Sequence, residues 1–313
     1  VYVRPQGQIE KRDSLEGSAF IDFPVDQTVI YPGYRRNTAE LGKIQSSIDS
    51  VRSDTDITIT SVWLKGYASP ESPYAHNQEL AIGRTAALKK HIQQLYRFEG
   101  DVITTDYEPE DWAGLRRYVE RSNLGHREEI IALIDGDLEP DAREWKIKST
   151  YPEEYRFLLQ NCYPALRRTD YRIAYTIRNY SDVEEIKRIM RERPQKLSLN
   201  EFYLVAQEYE PGTDEFAEVF ETAVRMFPDD TVANLNAANA AMRRGDLTGA
   251  ERYLAKTGDS PEAVYARGAL AIRQKDYDGA RRYLNEAKSL GLEQAAITLE
   301  QLGKNDINEY KYH

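Results

Sequence analysis

The chain has 313 residues, enough for two domains of ordinary size or for one domain followed by a repeat array. Its 42 basic and 52 acidic residues leave a formal charge of −10, which repels a phosphate backbone and argues against nucleic acid as a partner. One cysteine, Cys162 in FLLQNCYPAL, excludes an intrachain disulfide and a cysteine-based zinc site, and it reads as a small buried hydrophobe.

No apolar run approaches the roughly 20 residues that span a bilayer, and no charged n-region leads into an apolar h-region, so the chain is expected to be soluble. It opens on Val1 rather than methionine, which implies a trimmed beginning and leaves the compartment open.

SAFIDFPVDQTVI, residues 18–30, alternates apolar and polar residues and predicts a first strand. Asn37 with Glu40 three residues on marks a helix start, followed by Leu41, Ile44, Ile48 and Val51 at helical spacing. Residues 56–69 return to strand composition. A second helix over about 74–97 carries Leu80, Ala87, Leu88, Ile92 and Leu95, and DVITTDY (101–107) is a third strand. Residues 109–165 read as helical pieces inserted before a last strand, RRTDYRIAYTIR, at 167–178.

Beyond Asn179 the composition shifts to short helices, the first opened by Ser181 and Glu184 as a capping box. RGDLTGAERYLAK (244–256) and QKDYDGARRYLNE (274–286) match at Asp246/Asp276, Gly249/Gly279, Ala250/Ala280, Arg252/Arg282, Tyr253/Tyr283 and Leu254/Leu284. Matches at a fixed offset mean a structural repeat. An earlier copy, 214–230, carries Ala217, Ala223 and Phe227-Pro228. With Ala238 and Gly268 as small residues of the preceding helices, the pattern over about 195–303 resembles the tetratricopeptide family, although its period departs from the usual length of about 34. Most of these positions are core. What the resemblance implies is a concave surface that binds a segment of a protein partner as yet unidentified.

The first half resembles the OmpA-like peptidoglycan-associating family. The resemblance rests on the β-α-β-α-β order, on GYAS (66–69) closing the second strand, on Asn77, Leu80, Ala81, Arg84 and Thr85 in the second helix, and on LRRTDYRI before the last strand. In that family an aspartate and an arginine hold the diaminopimelate of the peptidoglycan stem peptide. A zwitterion wants a fixed acid and a bidentate base facing each other.

Carried onto this chain, the arginine is Arg84, the asparagine Asn77 and the basic pair Arg167 and Arg168. The aspartate position holds Ser69, whose hydroxyl cannot neutralise an ammonium. Glu71, in the proline-stiffened SPESP loop, is the acid that would swing into the vacated place. The alternative for Arg84 is a helix-face arginine tied to Glu71 or to a backbone carbonyl. Gly83 in the same helix implies close packing against the sheet or close approach of another backbone.

Catalytic fingerprints are missing: there is no G-x-S-x-G, H-E-x-x-H, Walker A or dinucleotide motif. With His76, His91, His126 and His313 the only histidines, a metal site would need carboxylates, and neither a metal nor a cofactor is expected. His126 with Glu129 reads as solvated surface, and Asp135 with Asp137 as turn formers. The 22 tyrosines are more economically core than a glycan platform.

The expected fold is α+β: an OmpA-like β-α-β-α-β-β domain with a helical insertion, then an all-α tetratricopeptide-like array. The expected limits are an extension at 1–16, a first domain at 17–179 and a repeat domain at 180–313. The resemblances imply a non-catalytic periplasmic protein, tethered to the outer membrane through a segment absent here, that associates with peptidoglycan and recruits a protein partner. The alternatives are an assembly adaptor for an outer-membrane or surface structure that no longer binds the wall, and a wall hydrolase using acids of the insertion.

Overall fold

In the computed structural model, which describes residues 1–7 and 10–310, the chain divides into two units. One comprises Arg12–Arg178, the other Val1–Lys11 with Asn179–His313. His313 itself lies outside the described residues.

The first unit is built on a four-stranded mixed sheet of β1 (Lys11–Ala19), β2 (Ile57–Tyr67), β3 (Ile103–Glu108) and β4 (Thr169–Ile177), in the order β1-β4-β2-β3. β2 runs parallel to β3 and antiparallel to β4, so Gly66 stands opposite Tyr107 on one side and Thr169 on the other. Helices α1 (Asn37–Arg52) and α2 (Tyr74–Tyr96) cover one face. Leu41, Ile44, Ile48 and Val51 of α1 and Leu88 and Ile92 of α2 share a single core with Val62, Leu64, Ile103, Tyr171 and Ile173 of the strands. The alternation of a half-covered sheet and the 3.6-residue stripe of each helix meet here, as burial of one face requires. Leu95, counted with the α2 stripe from its spacing, is half exposed near the end of that helix.

The first strand is displaced from its predicted place. Residues 18–30 were expected to form it, but β1 ends at Ala19, and the stretch from Phe20 to Arg36 holds no strand. Pro24 has no donor for a ladder and Asp26 takes a positive φ of 55°. Side chains of α1 replace the ladder. Glu40 accepts from the Phe20 N–H (3.0 Å) and Asn37 accepts from the Asp22 N–H (2.7 Å) while donating to the Asp22 and Tyr31 carbonyls. Asn37 and Glu40 thus satisfy a neighbouring segment instead of capping their own helix. The alternation of Ile21, Phe23 and Ile30 reported burial against the core, not strand geometry.

Between β3 and β4 five helices, α3 (Trp112–Arg121), α4 (Arg127–Asp135), α5 (Pro140–Thr150), α6 (Pro152–Asn161) and α7 (Tyr163–Leu166), enclose their own core of Leu115, Ile130, Leu158 and Tyr163. Cys162 is buried in it, and burial pushes its thiol up to about 12. Asp135 is the last residue of α4 rather than a turn former, and Arg116 donates to both its oxygens (2.7 and 3.0 Å).

The second unit contains a stack of short helices: α8 (Val183–Glu192), α9 (Leu199–Ala206), α10 (Asp214–Met226), α11 (Thr231–Arg243), α12 (Leu247–Leu254), α13 (Pro261–Arg273), α14 (Tyr277–Ser289) and α15 (Glu293–Tyr310). α8 starts one residue later than expected, with Asp182 capping the Glu185 N–H. The repeated aspartates are helix caps: Asp246 accepts from the Gly249 N–H and Asp276 from that of Gly279. Ala250 and Ala280 are fully buried where neighbouring helices meet. Among the described residues no helix is long and apolar enough to cross a membrane.

Residues 1–16, expected as one extension, are divided: 12–16 are strand, and 1–11 belong with the helical unit. Lys11 is buried there against Glu201 (3.1 Å), whose carboxylate also accepts from the Tyr180 and Ser198 N–H groups.

Enlarging either buried alanine, as Ala250→Trp or Ala280→Trp, is expected to cost about 1–3 kcal/mol or more through overpacking, whereas exposed Arg252→Ala should stay within about 0.5 kcal/mol. Thermal unfolding checks this; unchanged melting in both tryptophan variants would mean that the helices do not pack through these residues.

Candidate functional site

The loop joining β2 to α2 carries two of the candidate residues, Ser69 and Glu71. Gly66 enters it under helix α2: a Cβ there would lie 1.9 Å from the Thr85 hydroxyl, so the GYAS glycine lets helix and strand touch. The loop is then pinned at both ends. The Ala68 carbonyl accepts from the Asp111 N–H (3.1 Å), and the Asn77 carboxamide donates to the Ser72 carbonyl (2.8 Å) and to Glu110 (2.9 Å).

Asn77 is therefore a strut. It is buried, and its donors are committed to the loop and to a carboxylate. Burial pushes the Glu110 carboxyl above its usual range, against which the Asn77 and Trp112 donors work.

A cleft of about 260 Å³ opens beside this loop, and Ser69, Glu71, Asn77, Arg84 and Arg167 all line it. Its opposite wall is the irregular 20–36 segment, through Phe23, Asp26 and Arg35. Ser69, only 3% exposed, donates to the Glu71 carboxylate and accepts from Arg167 Nε (3.0 Å), and Arg167 closes the triangle with an ion pair to Glu71. Glu71 does come to the side of Ser69, but it arrives already neutralised.

Arg35 lies 3.6 Å from Asp22, and the Asp26 carboxylate 3.1 Å from a His76 ring nitrogen. Arg84 differs. Its guanidinium lies over the Phe23 ring (5.0 Å to the centroid), and its Nε makes a long 3.4 Å contact to the Gln27 carbonyl, but among the described residues it has no ion pair. Burial, and then the like charge of Arg167, lower its pKa. The nearby Asp26 and Glu71 carboxylates work the other way, and a carboxylate bound directly to the guanidinium would add to them. Gly83, one residue earlier, admits the Thr28 side chain, which a Cβ would meet at 2.7 Å; the approach comes from the 20–36 segment, not from the sheet.

Arg168 does not line this cleft, but it meets Arg84 and Arg167 at a small adjoining pocket lined also by Phe23 and Tyr67. It is held by Asp111, the cap of α3, and by Asp170 (2.9 Å), and stacks on Tyr67 (4.0 Å). Although burial opposes its charge, the Asp111 and Asp170 carboxylates raise its pKa. It faces a larger cavity of about 430 Å³ in the insertion, lined also by Arg117, Arg121 and Cys162, where none of the other candidate residues lies. Elsewhere His126 is exposed and bonds Glu154 (2.7 Å). Among the described residues no group of three or more His, Cys, Asp or Glu side chains is placed to hold a metal ion.

Phe23, Asp26 and Gln27 were not predicted as cleft residues because residues 18–30 read as a strand, and Arg35 lies just beyond it. The signal was present in YPGYRRN and in Pro24, which mark a loop able to fold over a helix.

Searches against protein-family models and curated proteins find no match to this chain.

Asn77→Ala should cost about 1–3 kcal/mol at neutral pH, because it leaves the Glu110 carboxylate short of a donor. Glu110, raised in the folded state above its unfolded value near 4.5, takes stability away as pH rises through that range, and losing Asn77 deepens this. The deficit should therefore shrink below about pH 4, where the carboxyl is largely protonated in both states. Denaturant unfolding at both pH values checks this; equal deficits would mean that Asn77 serves only the Ser72 carbonyl.

Proposed function

We propose that the chain is a non-catalytic binding protein of the Gram-negative envelope, OmpA-like through residues 12–178 and tetratricopeptide-like through about 195–303. In this reading the cleft receives a diaminopimelate-containing stem peptide, with the ligand carboxylate on Arg84. The helical array recruits a protein partner, and the protein works in the periplasm, held at the outer membrane by a segment outside these residues.

One observation carries the reading: Arg84 is a half-buried guanidinium in a formed cleft, with no carboxylate of its own. A bidentate carboxylate suits its free nitrogens. The ammonium of the same ligand would share Glu71 with Arg167, since a carboxylate has room for about four hydrogen bonds.

A second reading, an assembly adaptor that does not bind the wall, is favoured by the closed Ser69–Glu71–Arg167 triangle. There the acid that bonds Ser69, Glu71, is spent within the protein.

Cosedimentation of the full chain with purified, protein-free peptidoglycan separates the two. The first reading expects binding by the wild type, a loss of roughly tenfold to a hundredfold in Arg84→Ala, and binding at least as strong in Ser69→Asp. No binding by the wild type, with binding restored in Ser69→Asp, supports the adaptor. No binding by either contradicts the assignment of the cleft.

A further inference from the structure

Helix α11 contains TVANLNAANAAM, and Asn234, Asn236 and Asn239 are all buried in it. Asparagine is a poor helix former and costly to bury unless its amide is satisfied. Asn234 is used locally, donating to the Pro228 and Asp230 carbonyls (2.9 and 2.8 Å). The other two hold the backbone of the chain's own beginning, residues of the same unit.

Asn236 accepts from the Val3 N–H (2.8 Å) and donates to the Val3 carbonyl (2.7 Å), while Asn239 donates to the Val1 carbonyl (2.7 Å). Both polar groups of Val3 face one carboxamide, the arrangement of an extended residue lying on a sheet edge. These bonds read main chain, which any peptide presents.

Side chains add selectivity. The Tyr2 ring stacks on Phe220 (5.3 Å, 9°) and meets Phe216 edge-on (4.9 Å, 80°), and Val3 packs on the cluster of Leu235, Ala238 and Met242. The Tyr2 hydroxyl, however, is buried with no hydrogen-bond partner. The site accommodates the ring and penalises its oxygen.

We propose that α10 and α11 form a receptor for an extended peptide bearing a phenyl side chain, and that residues 1–5 are its intramolecular occupant, displaced by a partner segment of that chemistry. This rests on the partner-recruiting half of the reading above and is independent of the cleft. Tethering gives the built-in segment a high effective concentration. Its unpaired hydroxyl offsets part of that advantage and leaves it displaceable by a phenylalanine at the same place.

The test uses the full chain and two labelled peptides, VYVRPQG and VFVRPQG. The phenylalanine peptide should bind about tenfold or more tightly than the tyrosine peptide. Tyr2→Ser, which weakens the built-in occupant, should tighten both by about tenfold or more, and adding Asn236→Ala should remove that gain. In the unaltered chain, excess VFVRPQG should speed hydrogen exchange at the Val3 amide.

Equal affinity for the two peptides, no response to Tyr2→Ser, or an unmoved Val3 amide would overturn the proposal. So would loss of helix content in Tyr2→Ser, which would make residues 1–5 part of the core, or peptide-sensitive self-association of the wild type, which would make the occupant a second copy. Arg84→Ala should leave both peptide affinities unchanged, so a failure here is distinct from a failure to bind peptidoglycan.

Discussion

The cleft depends on the side chain of Asn37. A segment that leaves the sheet at Ala19 must satisfy its backbone polar groups elsewhere, and Asn37, fully buried at the start of α1, meets the Asp22 N–H and two carbonyls at once. Glu40, one turn on, takes the Phe20 N–H. With those bonds the 20–36 segment lies beside α2 and brings Phe23 and Gln27 to Arg84. Without them Arg84 would be a solvated helix-face arginine and there would be no second wall.

Electrostatics then divides the cleft unequally. Ser69, Glu71 and Arg167 satisfy one another, and Arg35 has Asp22. Arg84 keeps a charge that burial and Arg167 both disfavour. In the proposed reading a ligand would find one anchor for an anion, Arg84, and only a shared partner for a cation, Glu71. That asymmetry explains why the wall-binding and adaptor readings differ by the state of one carboxylate, Glu71.

Much of the plan was legible because it rests on periodicity. The two helices over the sheet, the late return of β4 after an inserted block, and the buried alanines of the repeats all follow from spacing. The failures share a cause: a residue's type does not reveal its partner. Ile21, Phe23 and Ile30 are apolar because they reach the core, yet the backbone beside them, at Phe20 and Asp22, bonds to α1 side chains. Arg167 and Arg168 are adjacent and chemically identical, but in the turn between α7 and β4 one pairs with Glu71 in the cleft and the other with Asp111 and Asp170. Nothing local in the sequence marks Asn236 and Asn239, because the backbone they hold lies more than two hundred positions away.

Arg84 is proposed to take up a carboxylate, and its side-chain Nε–H resonance reports whether it does. In the full chain titrated with an alanyl-glutamyl-diaminopimelate stem peptide, the account predicts a saturable shift of that resonance with slowed exchange against water, as a carboxylate takes up the guanidinium. An Arg84 signal that stays in place through the titration, whether or not signals elsewhere move, would contradict it.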